Sequence, residues 1–461
     1  MNITSSIRET KENNNGMKQV LAGSAYGNMI EWFDYASYGY LATIIATVFF
    51  APGNETAALL NTFAVFALSF LIRPIGGMVW GHYGDRIGRK KILILTMCMM
   101  SLSTFAIGLI PSYESIGILA PILLLVCRIV QGFSASGEYA GASLMIAEHA
   151  PKKKRGLLVS MVPASTAAGM LLGAVVTSIL QFSLTAEALA SWGWRIPFLL
   201  SLPLGAIGLV IRLKMEDSPV FNEMNEDESS EKQLGMLEGI KKYKGKILIA
   251  LGVICLNAVG FYIILSYMPT YLTTVLKFDS LQSTLITIFT LFTYVVMLPI
   301  VGKITDRFGR KPVLMTACIL FILFTYPIFM LMSMGGAFTI ISMILLGAIL
   351  ACNDGVLATF LSEMFPTEVR YSGFGVSFNA GNAVFGGTAP YVATFLVAAS
   401  GNDFAPAFYL MAGALIALFS LLKTKETVNI SLNNVKQKKR KSVVSKQSKY
   451  TKYKESVIGD R

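Results

Sequence analysis

Six ionisable side chains lie inside long apolar segments of the chain, where a charge is costly and usually serves a function. They are Glu31, Asp34, Arg73, Arg128, Glu138 and Asp354. If all were ionised, the acids would outnumber the arginines, so we expect at least one acid to bind a proton. The pattern predicts proton-coupled transport, in which Arg128 pairs with a carboxylate in one state and releases it in another. The predicted proton-coupling residues are Glu31, Asp34, Arg128, Glu138 and Asp354.

A static arrangement of ion pairs is the alternative interpretation of these charges. Glu31 and Asp34 lie three positions apart and therefore share one face of a helix. Glu31 is the first candidate for an acid that simply reaches water near the end of a span. Arg73 lies closer to the end of its segment, and we expect its side chain to extend towards the membrane surface.

Aromatic and amide side chains accumulate in the same segments. Aromatic faces can hold a quaternary ammonium by cation–π attraction of ~0.5–2 kcal/mol per ring, and amides can bind polar groups in a central cavity. The predicted substrate-binding residues are Trp32, Tyr35, Gln131, Tyr139, Asn257, Tyr262, Asn353 and Asn382. Any one of these rings could instead face lipid or pack against a neighbouring helix, so the aromatic signal is weak by itself.

Membrane-spanning helices are the elements that must hold these residues. Of the 461 residues, 54% are hydrophobic and 14% are charged, whereas soluble domains carry about 25% charged residues. Apolar segments of about 20 residues, each long enough to cross a bilayer, recur along the chain. The sequence therefore predicts an all-α integral membrane protein with twelve transmembrane helices in two six-helix halves.

The placement of lysine and arginine predicts the orientation, because loops that carry them stay on the cytoplasmic side. Basic residues precede the first span and recur in alternate loops, which places both termini in the cytoplasm of a multi-pass plasma-membrane protein. The first segment is polar and lacks the apolar core of a signal peptide. The predicted divisions are a cytoplasmic N-terminal segment (1–19), a first half (20–214), a cytoplasmic loop (215–246), a second half (247–424) and a basic tail (425–461).

The central loop and the tail are both highly charged. Acids followed by lysines in the loop are typical of a solvated linker. The tail carries most of the net charge of +12, which would attract anionic lipids at ~1 kcal/mol per basic residue; positive charge that merely fixes the orientation is an equal alternative. The five cysteines are scattered through apolar segments, so neither disulfides nor a metal site is expected. No cofactor pattern and no constellation typical of an enzyme is present in the sequence.

Two short motifs recur in both halves. GHYGDRIGRKK at 81–91 matches GKITDRFGRKP at 302–312, and E-x-x-P-x-x-x-R at 148–155 returns at 363–370. An acid at the end of a span can pair with an arginine or accept hydrogen bonds from a helix N-terminus. We interpret the loops as a latch that breaks when the cytoplasmic face opens; a plain topogenic loop is the alternative. The predicted latch residues are Gly81, Asp85, Arg86, Gly88, Arg89, Gly302, Asp306, Arg307, Gly309 and Arg310.

With these repeated loops, the chain resembles the major facilitator superfamily, whose members have two parallel halves of six spans. GNMIEWFDY, SFLIRPIGG, RIVQGFSASGEYAGA and WGWRIPF are similar to motifs of its metabolite:proton symporter family. The resemblance implies proton symport of zwitterionic compatible solutes such as proline and glycine betaine, by alternating access and with activation at high osmolality. It also places Glu31, Asp34, Arg128, Gln131, Gly132 and Glu138 on the family's motifs in the first and fourth spans.

Two other functions stay open. A proton symporter of small carboxylates such as 2-oxoglutarate, citrate or shikimate would belong to the same family, but a multiply anionic substrate should need more cavity cations than Arg73 and Arg128. A membrane sensor that does not transport is the alternative of another class, and the intact repeats and buried acids argue against it. The expected partners are a small zwitterion, protons and the lipid bilayer, with no nucleic acid. Because the tail lacks a coiled-coil pattern, we hypothesise that it responds to anionic lipid or to ionic strength.

Overall fold

A computed structural model describes residues 3–51, 55–214, 236–428 and 430–432, and these residues form helices and connecting turns without a strand. The first half contributes six spans. They are α1 (Ile3–Tyr40), α2 (Glu55–Leu71 and Arg73–Ile87), α3 (Arg89–Leu109), α4 (Leu119–His149), α5 (Met161–Ser183) and α6 (Arg195–Leu213). Shorter helices connect them, at Ala42–Phe49, Tyr113–Ile116, Lys152–Lys154, Arg155–Val159, Ala186–Ala188 and Leu189–Gly193.

The second half repeats this arrangement after residues 215–235, which lie outside the described part. Its first three spans are α7 (Met236–Phe261, Tyr262–Tyr267 and Met268–Thr274), α8 (Ser280–Phe308) and α9 (Arg310–Met332). The last three are α10 (Gly336–Met364), α11 (Arg370–Gly381, Asn382–Gly386 and Ala389–Ser400) and α12 (Ala405–Leu422), with a short helix at Thr367–Val369 before α11.

The predicted all-α architecture of twelve spans is confirmed. Eleven stretches of the described residues are long and apolar enough to cross a membrane. The remaining span is α1, whose polar residues lower its hydropathy but also fix its place. Its Asn28 is fully buried and donates to the Val162 carbonyl at 2.9 Å and to the Thr166 hydroxyl at 2.7 Å. These hydrogen bonds hold α1 against α5.

Two predicted boundaries fall inside helices of the structure, although α7 has a kink at Tyr243, shortly before the second of these boundaries. The α1 helix begins at Ile3, inside the segment expected to precede the first span, and α7 begins at Met236, inside the expected central loop. A helix can extend beyond the bilayer, so these starts do not fix where the membrane begins. The division of the chain into five parts remains a prediction.

Three spans are irregular near their middle, and each irregularity lies beside a predicted or charged site residue. The α2 span is interrupted at Ile72, directly before Arg73. The α7 and α11 spans each contain a π-helical turn, which begins at Tyr262 and at Asn382 respectively. Because π turns occur often at functional sites, these irregularities indicate a functional site at the centre of the bundle.

Candidate functional site

A buried hydrogen-bonded cluster around Asp34 lies within the first half. Thr104 donates to its carboxylate, and the Gln131 amide nitrogen donates to the same oxygen at 2.9 Å. Arg128 in turn donates to the Gln131 amide oxygen at 2.9 Å. Gln131 therefore separates the arginine from the acid, and Asp34 has no ion pair among the described residues. Thr104 was missed in the sequence, because a threonine in an apolar segment carries no signal of its own.

The guanidinium of Arg128 is fully buried. Its central carbon lies 3.5 Å from the centre of the Tyr38 ring, so aromatic faces supply part of the stabilisation that water would give. Two of its nitrogens, Nε and Nη2, have no hydrogen-bond partner in the described structure. Arg128 therefore has unused hydrogen-bond donors beside Asp34. The ion pair with a carboxylate that the sequence predicted for one state is absent from the state described here.

Glu138 is held by an arginine that the sequence analysis overlooked. Arg212 of α6 is 1% exposed and donates to the Glu138 carboxylate, to the Leu93 carbonyl and, at 3.2 Å, to the Gly23 carbonyl. The count of two intramembrane arginines was therefore wrong. Arg212 lies at the end of a span, where a basic residue normally reaches the membrane surface, but its side chain points into the bundle instead.

A second buried pair lies where the two halves meet. Arg73 and Glu31 are each 3% exposed, and their nearest charged atoms are 3.7 Å apart. The expectation that Arg73 extends towards the membrane surface was wrong, because its guanidinium is buried beside Glu31 and two aromatic rings, which replace part of the stabilisation that water would give. The guanidinium carbon of Arg73 lies 4.7 Å from the centre of the Tyr35 ring and 4.3 Å from that of Phe70.

Aromatic contacts join this pair to the second half. The Trp32 and Phe261 rings lie 5.0 Å apart, and the Phe70 and Tyr262 rings lie 5.5 Å apart. Several buried polar atoms here have no hydrogen-bond partner in the described structure. They are Glu31 Oε2, Arg73 Nε and Nη2, Trp32 Nε1, Tyr35 OH and Tyr262 OH. Since buried polar groups are nearly always hydrogen-bonded, such a group of unsatisfied atoms is typical of a place that receives a polar ligand.

The second half contains its own buried acid. Asp354 accepts a hydrogen bond from Asn257 at 2.6 Å and another from the Tyr294 hydroxyl. Tyr294 was not predicted, because nothing in its sequence distinguishes it from a tyrosine that packs. The neighbouring Asn353 is 1% exposed, and both polar atoms of its side chain lack a partner in the described residues.

The other predicted substrate residues lie on the same inner surface. The Tyr139 ring stacks on Phe378 of the second half at 4.3 Å. Asn382 donates to the Phe378 carbonyl of its own helix at 2.9 Å. A cavity of about 10 Å³ between Glu31 and Glu138 has room for about one water molecule.

The two repeated loops lie at one end of the bundle, called the repeat end below. Gly88 and Gly309 occupy equivalent positions between consecutive spans and have φ angles of 101° and 100°, which side chains rarely adopt. Gly81 and Gly302 each face the other half closely: an added Cβ would lie 2.8 Å from the Ser372 Cα and 2.6 Å from the Gly156 carbonyl respectively. Backbone conformation or close packing therefore accounts for glycine at all four positions.

Asp306 binds the first half through its backbone. Its two carboxylate oxygens accept hydrogen bonds from the Gly156 and Leu157 amides at 2.7 and 3.0 Å, at the start of a helix where negative charge is favoured. Arg310 completes the contact by donating to Asp306 at 2.9 Å. Arg86 and Arg307 point to solvent, and the side chains of Asp85 and Arg89 lie outside the described part.

The other repeated motif forms two reciprocal ion pairs between the halves. Arg155 contacts Glu363 at 2.8 Å, and Glu148 contacts Arg370 at 3.0 Å. All four side chains are at most 7% exposed. The sequence analysis noted this repeat but assigned it no role, since only the fold places an acid of one half against an arginine of the other.

Residues that follow α12 cover this network. Glu426 accepts hydrogen bonds from the Arg310 and Lys311 amides at 2.9 and 3.0 Å, and Thr427 donates to Glu363 at 2.8 Å. Arg155 donates to the Ile430 carbonyl at 3.1 Å. Partial burial alone would raise the pKa of the Glu426 carboxyl, but the backbone amides that it accepts from lower it below its usual value.

Family models and relatives agree with this architecture. The model described as "Sugar (and other) transporter" matches residues 20–247, and the one described as "Major Facilitator Superfamily" matches residues 278–456. The proline/betaine transporter of Escherichia coli strain K12 is 38% identical over 422 residues, covering 90% of this chain and 84% of the relative. A glycine betaine/proline/ectoine/pipecolic acid transporter of Dickeya dadantii is 39% identical over 424 residues, with the same coverage of 90% and 84%.

Solved structures show the same fold at lower identity. The proton:xylose symporter bound to 6-bromo-6-deoxy-D-glucose superposes with a TM-score of 0.79 at 20% identity, covering 92% of this chain and 99% of that one. The partially occluded inward-open xylose transporter of E. coli gives a TM-score of 0.70 at 22% identity, covering 91% and 100%. At these identities the likeness concerns the fold alone.

Proposed function

Because the chain belongs to the major facilitator superfamily of secondary transporters, we propose that it is a proton symporter of zwitterionic osmolytes such as proline and glycine betaine. The relatives that are 38–39% identical over 90% of the chain are named for these solutes. The observation that carries the proton coupling is a buried acid in each half, Asp34 and Asp354, that has only neutral hydrogen-bond donors among the described residues.

We assign the transported proton to Asp34 and Asp354 because each carboxylate can bind a proton without breaking an ion pair of the described residues. Glu138 is compensated by Arg212, and breaking a buried pair typically costs ~3–5 kcal/mol. Arg128, with its free donors beside Gln131, would compensate Asp34 after the proton leaves. Glu31 differs from these acids, since its arginine partner is distant and incompletely hydrogen-bonded.

The repeat end is proposed to face the cytoplasm, with both termini on that side, since the loops there carry the lysines and arginines. Its ion pairs and the Asp306 contacts would then hold the cytoplasmic side closed, as the state in this structure has them. Rocking the halves against each other would break these contacts and expose the centre to the cytoplasm. The basic tail (425–461), of which residues 429 and 433–461 lie outside the described part, is proposed to respond to anionic lipid or to ionic strength at the membrane surface.

The two other candidate functions have less support. A di- or tricarboxylate would need several free cations, but Arg212 is bound to Glu138 and Arg73 lies beside Glu31. A sensor that does not transport would have no use for a latch between the halves. Uptake of 2-oxoglutarate without uptake of betaine would nevertheless favour the carboxylate function and leave the fold and the mechanism in place.

The test is uptake of labelled glycine betaine into proteoliposomes, with and without an inward proton gradient and at low and high external osmolality. We expect uptake that is driven by the gradient, increases with osmolality and is inhibited by excess proline. In Asp34→Asn and Asp354→Asn, gradient-driven accumulation should fall at least 10-fold, while exchange of labelled for unlabelled betaine without a gradient should persist. Full gradient-driven accumulation by both variants would refute the proton assignment.

A further inference from the structure

We propose that Glu31 and Arg73 form a charge clamp for the zwitterionic substrate, in which Arg73 binds the carboxylate and Glu31 faces the cationic nitrogen. This inference rests on the proposed function and adds the residues that select the charge pattern of the solute. The two side chains are too far apart here for a hydrogen bond, since 3.7 Å separates their nearest charged atoms. A ligand that enters between them replaces a weak contact with two strong ones.

The unsatisfied atoms distinguish this pair from the Arg212–Glu138 ion pair, and its position where the two halves meet distinguishes it from Arg128 and Asp34, which lie within the first half. Glu31 Oε2 and Arg73 Nε and Nη2 have no hydrogen-bond partner in the described residues, and both side chains are 3% exposed. By contrast, the guanidinium of Arg212 donates to Glu138 and to two carbonyls. Fixed buried charges with unused hydrogen-bonding capacity are costly unless a ligand completes them.

Charge balance explains why the ligand is a zwitterion. A carboxylate without a cationic nitrogen could satisfy Arg73 but would place a second negative charge beside Glu31. A cation without a carboxylate would satisfy Glu31 and repel Arg73. A zwitterion compensates both residues and leaves the net charge of the buried site unchanged, so the clamp selects by repulsion of the wrong ligand as well as by attraction of the right one.

The aromatic residues of the clamp are divided between its two ends. Tyr35 and Phe70 flank the Arg73 guanidinium within 4.7 Å and hold it in place, whereas Trp32 follows Glu31 directly in α1 and contacts the Phe261 ring of the second half. A quaternary nitrogen has no hydrogen to donate, so it is held by a carboxylate at a distance and by aromatic faces. The unused donors of Trp32 and Tyr262 can donate hydrogen bonds to the substrate carboxylate or to a bridging water.

The position of the clamp gives it a role in the transport cycle. Glu31 and Arg73 belong to the first half, whereas Phe261 and Tyr262 of the second half close over their aromatic neighbours. Tyr262 begins the π turn of α7. A substrate in the clamp therefore touches both halves, which is the condition for its binding to favour a closed centre.

Binding to purified protein tests the clamp without requiring proton coupling. The probes are glycine betaine and tert-butylacetate, which has the same shape but carries carbon in place of the cationic nitrogen. Calorimetric titration measures the ratio of their affinities in the parent protein, in Glu31→Gln and in the neutral pair Glu31→Gln/Arg73→Gln. Glu187→Gln, which neutralises an exposed acid between α5 and α6, is the matched control.

We expect the parent and Glu187→Gln to prefer betaine strongly. A charge-assisted contact of ~1.5–3 kcal/mol corresponds to about 10- to 100-fold in affinity, so Glu31→Gln should lose that much of the preference. The neutral pair should bind both probes weakly, and it remains informative if the unpaired arginine of the single variant prevents folding.

Two results overturn the inference and can be told apart. Preference for betaine that persists in Glu31→Gln and in the neutral pair would refute the clamp but leave the proposed function intact. Failure of the parent protein to bind betaine or proline at all would refute the proposed function, and the clamp with it.

Discussion

The contact between Arg155 and Glu363 makes the most direct prediction about the transport cycle. Glu363 is 3% exposed and accepts hydrogen bonds from Arg155 at 2.8 Å, from Arg310 at 3.2 Å and from Thr427 at 2.8 Å. Among these three donors only Arg155 belongs to the first half. Substitution of Glu363→Gln keeps the shape of the side chain, removes its charge and should weaken the closed state of the repeat end.

The expected magnitude follows from the hydrogen bond between Arg155 and Glu363, which crosses between the halves. A hydrogen bond to a charged group contributes ~1.5–3 kcal/mol. Glutamine keeps one acceptor oxygen, so we expect a loss near the lower value, which corresponds to about a 10-fold larger open population. The reciprocal Glu148–Arg370 pair remains and should prevent complete opening.

The assay is alkylation of a cysteine that only opening exposes. Ser372 of the second half is 8% exposed, and a Cβ added at Gly81 of the first half would lie 3.3 Å from its hydroxyl oxygen. Ser372→Cys, in a background without the five native cysteines, should react about 10-fold faster when Glu363→Gln is added. This proportionality requires that opening and closing be faster than alkylation.

Two further variants make the result decisive. Arg307→Gln neutralises an exposed arginine at the repeat end, and the alkylation rate should not change. Arg155→Gln combined with Glu363→Gln should cost less than the sum of the two single changes, because they remove the same contact. Equal rates in the parent and in Glu363→Gln, or strictly additive effects in the pair, would refute the role of this contact in holding the end closed.

Two predictions concern the stability of the repeat end. Gly309→Ala should lower the unfolding temperature by the equivalent of at least ~1 kcal/mol, because φ is 100° there and the new Cβ would lie 2.7 Å from a Glu426 oxygen; Gly245→Ala, in open space within α7, should be neutral or stabilising. Glu426→Gln should lower the unfolding temperature at pH 7, and this difference should shrink as the pH falls below about 4.5, since the folded state holds the pKa of this carboxyl below its usual value of 4.5 and its stabilising contribution disappears on protonation. An equal effect of Gly245→Ala, or a Glu426 difference that does not vary with pH, would contradict the respective explanation.

Much of the architecture follows from composition and from repetition along the chain. Twelve apolar segments are visible because a bilayer imposes one length on every span. The sequence predicted Asp34 and Arg128 as proton-coupling residues and Gln131 as a substrate-binding residue, and their hydrogen bonds place all three in one cluster. In the same way, matching spacing in both halves drew attention to Asp306 and Arg310.

What the sequence did not give is the partner of each charge. Whether Arg212 reaches the membrane surface or Glu138 depends on the rotation of α6, and periodicity does not specify that rotation in a helix that is apolar almost all round. The burial of Arg73 beside Glu31 and two aromatic rings depends on contacts between helices. Pro74 is a local signal for the interruption of α2 at Ile72, but it does not specify where the neighbouring arginine points. Hydroxyl groups such as those of Thr104 and Tyr294 become significant only when an acid is placed beside them.

The reciprocal ion pairs also follow from repetition, although only the fold makes this evident. Each half carries one acid and one arginine in the same motif, so when the two copies meet about an axis between the halves, each acid meets the arginine of the other copy. Two equivalent contacts form or break together, which favours a closed end and an open end over intermediate positions.

The helix α4 connects this end to the centre of the bundle. It begins at Leu119 and ends at His149. It carries Arg128 and Gln131 beside Asp34, and it continues without a break to Glu148, which pairs with Arg370. A change of charge at Asp34 and the formation of the Glu148–Arg370 ion pair therefore act on the same helix, which gives proton binding a physical route to the repeat end.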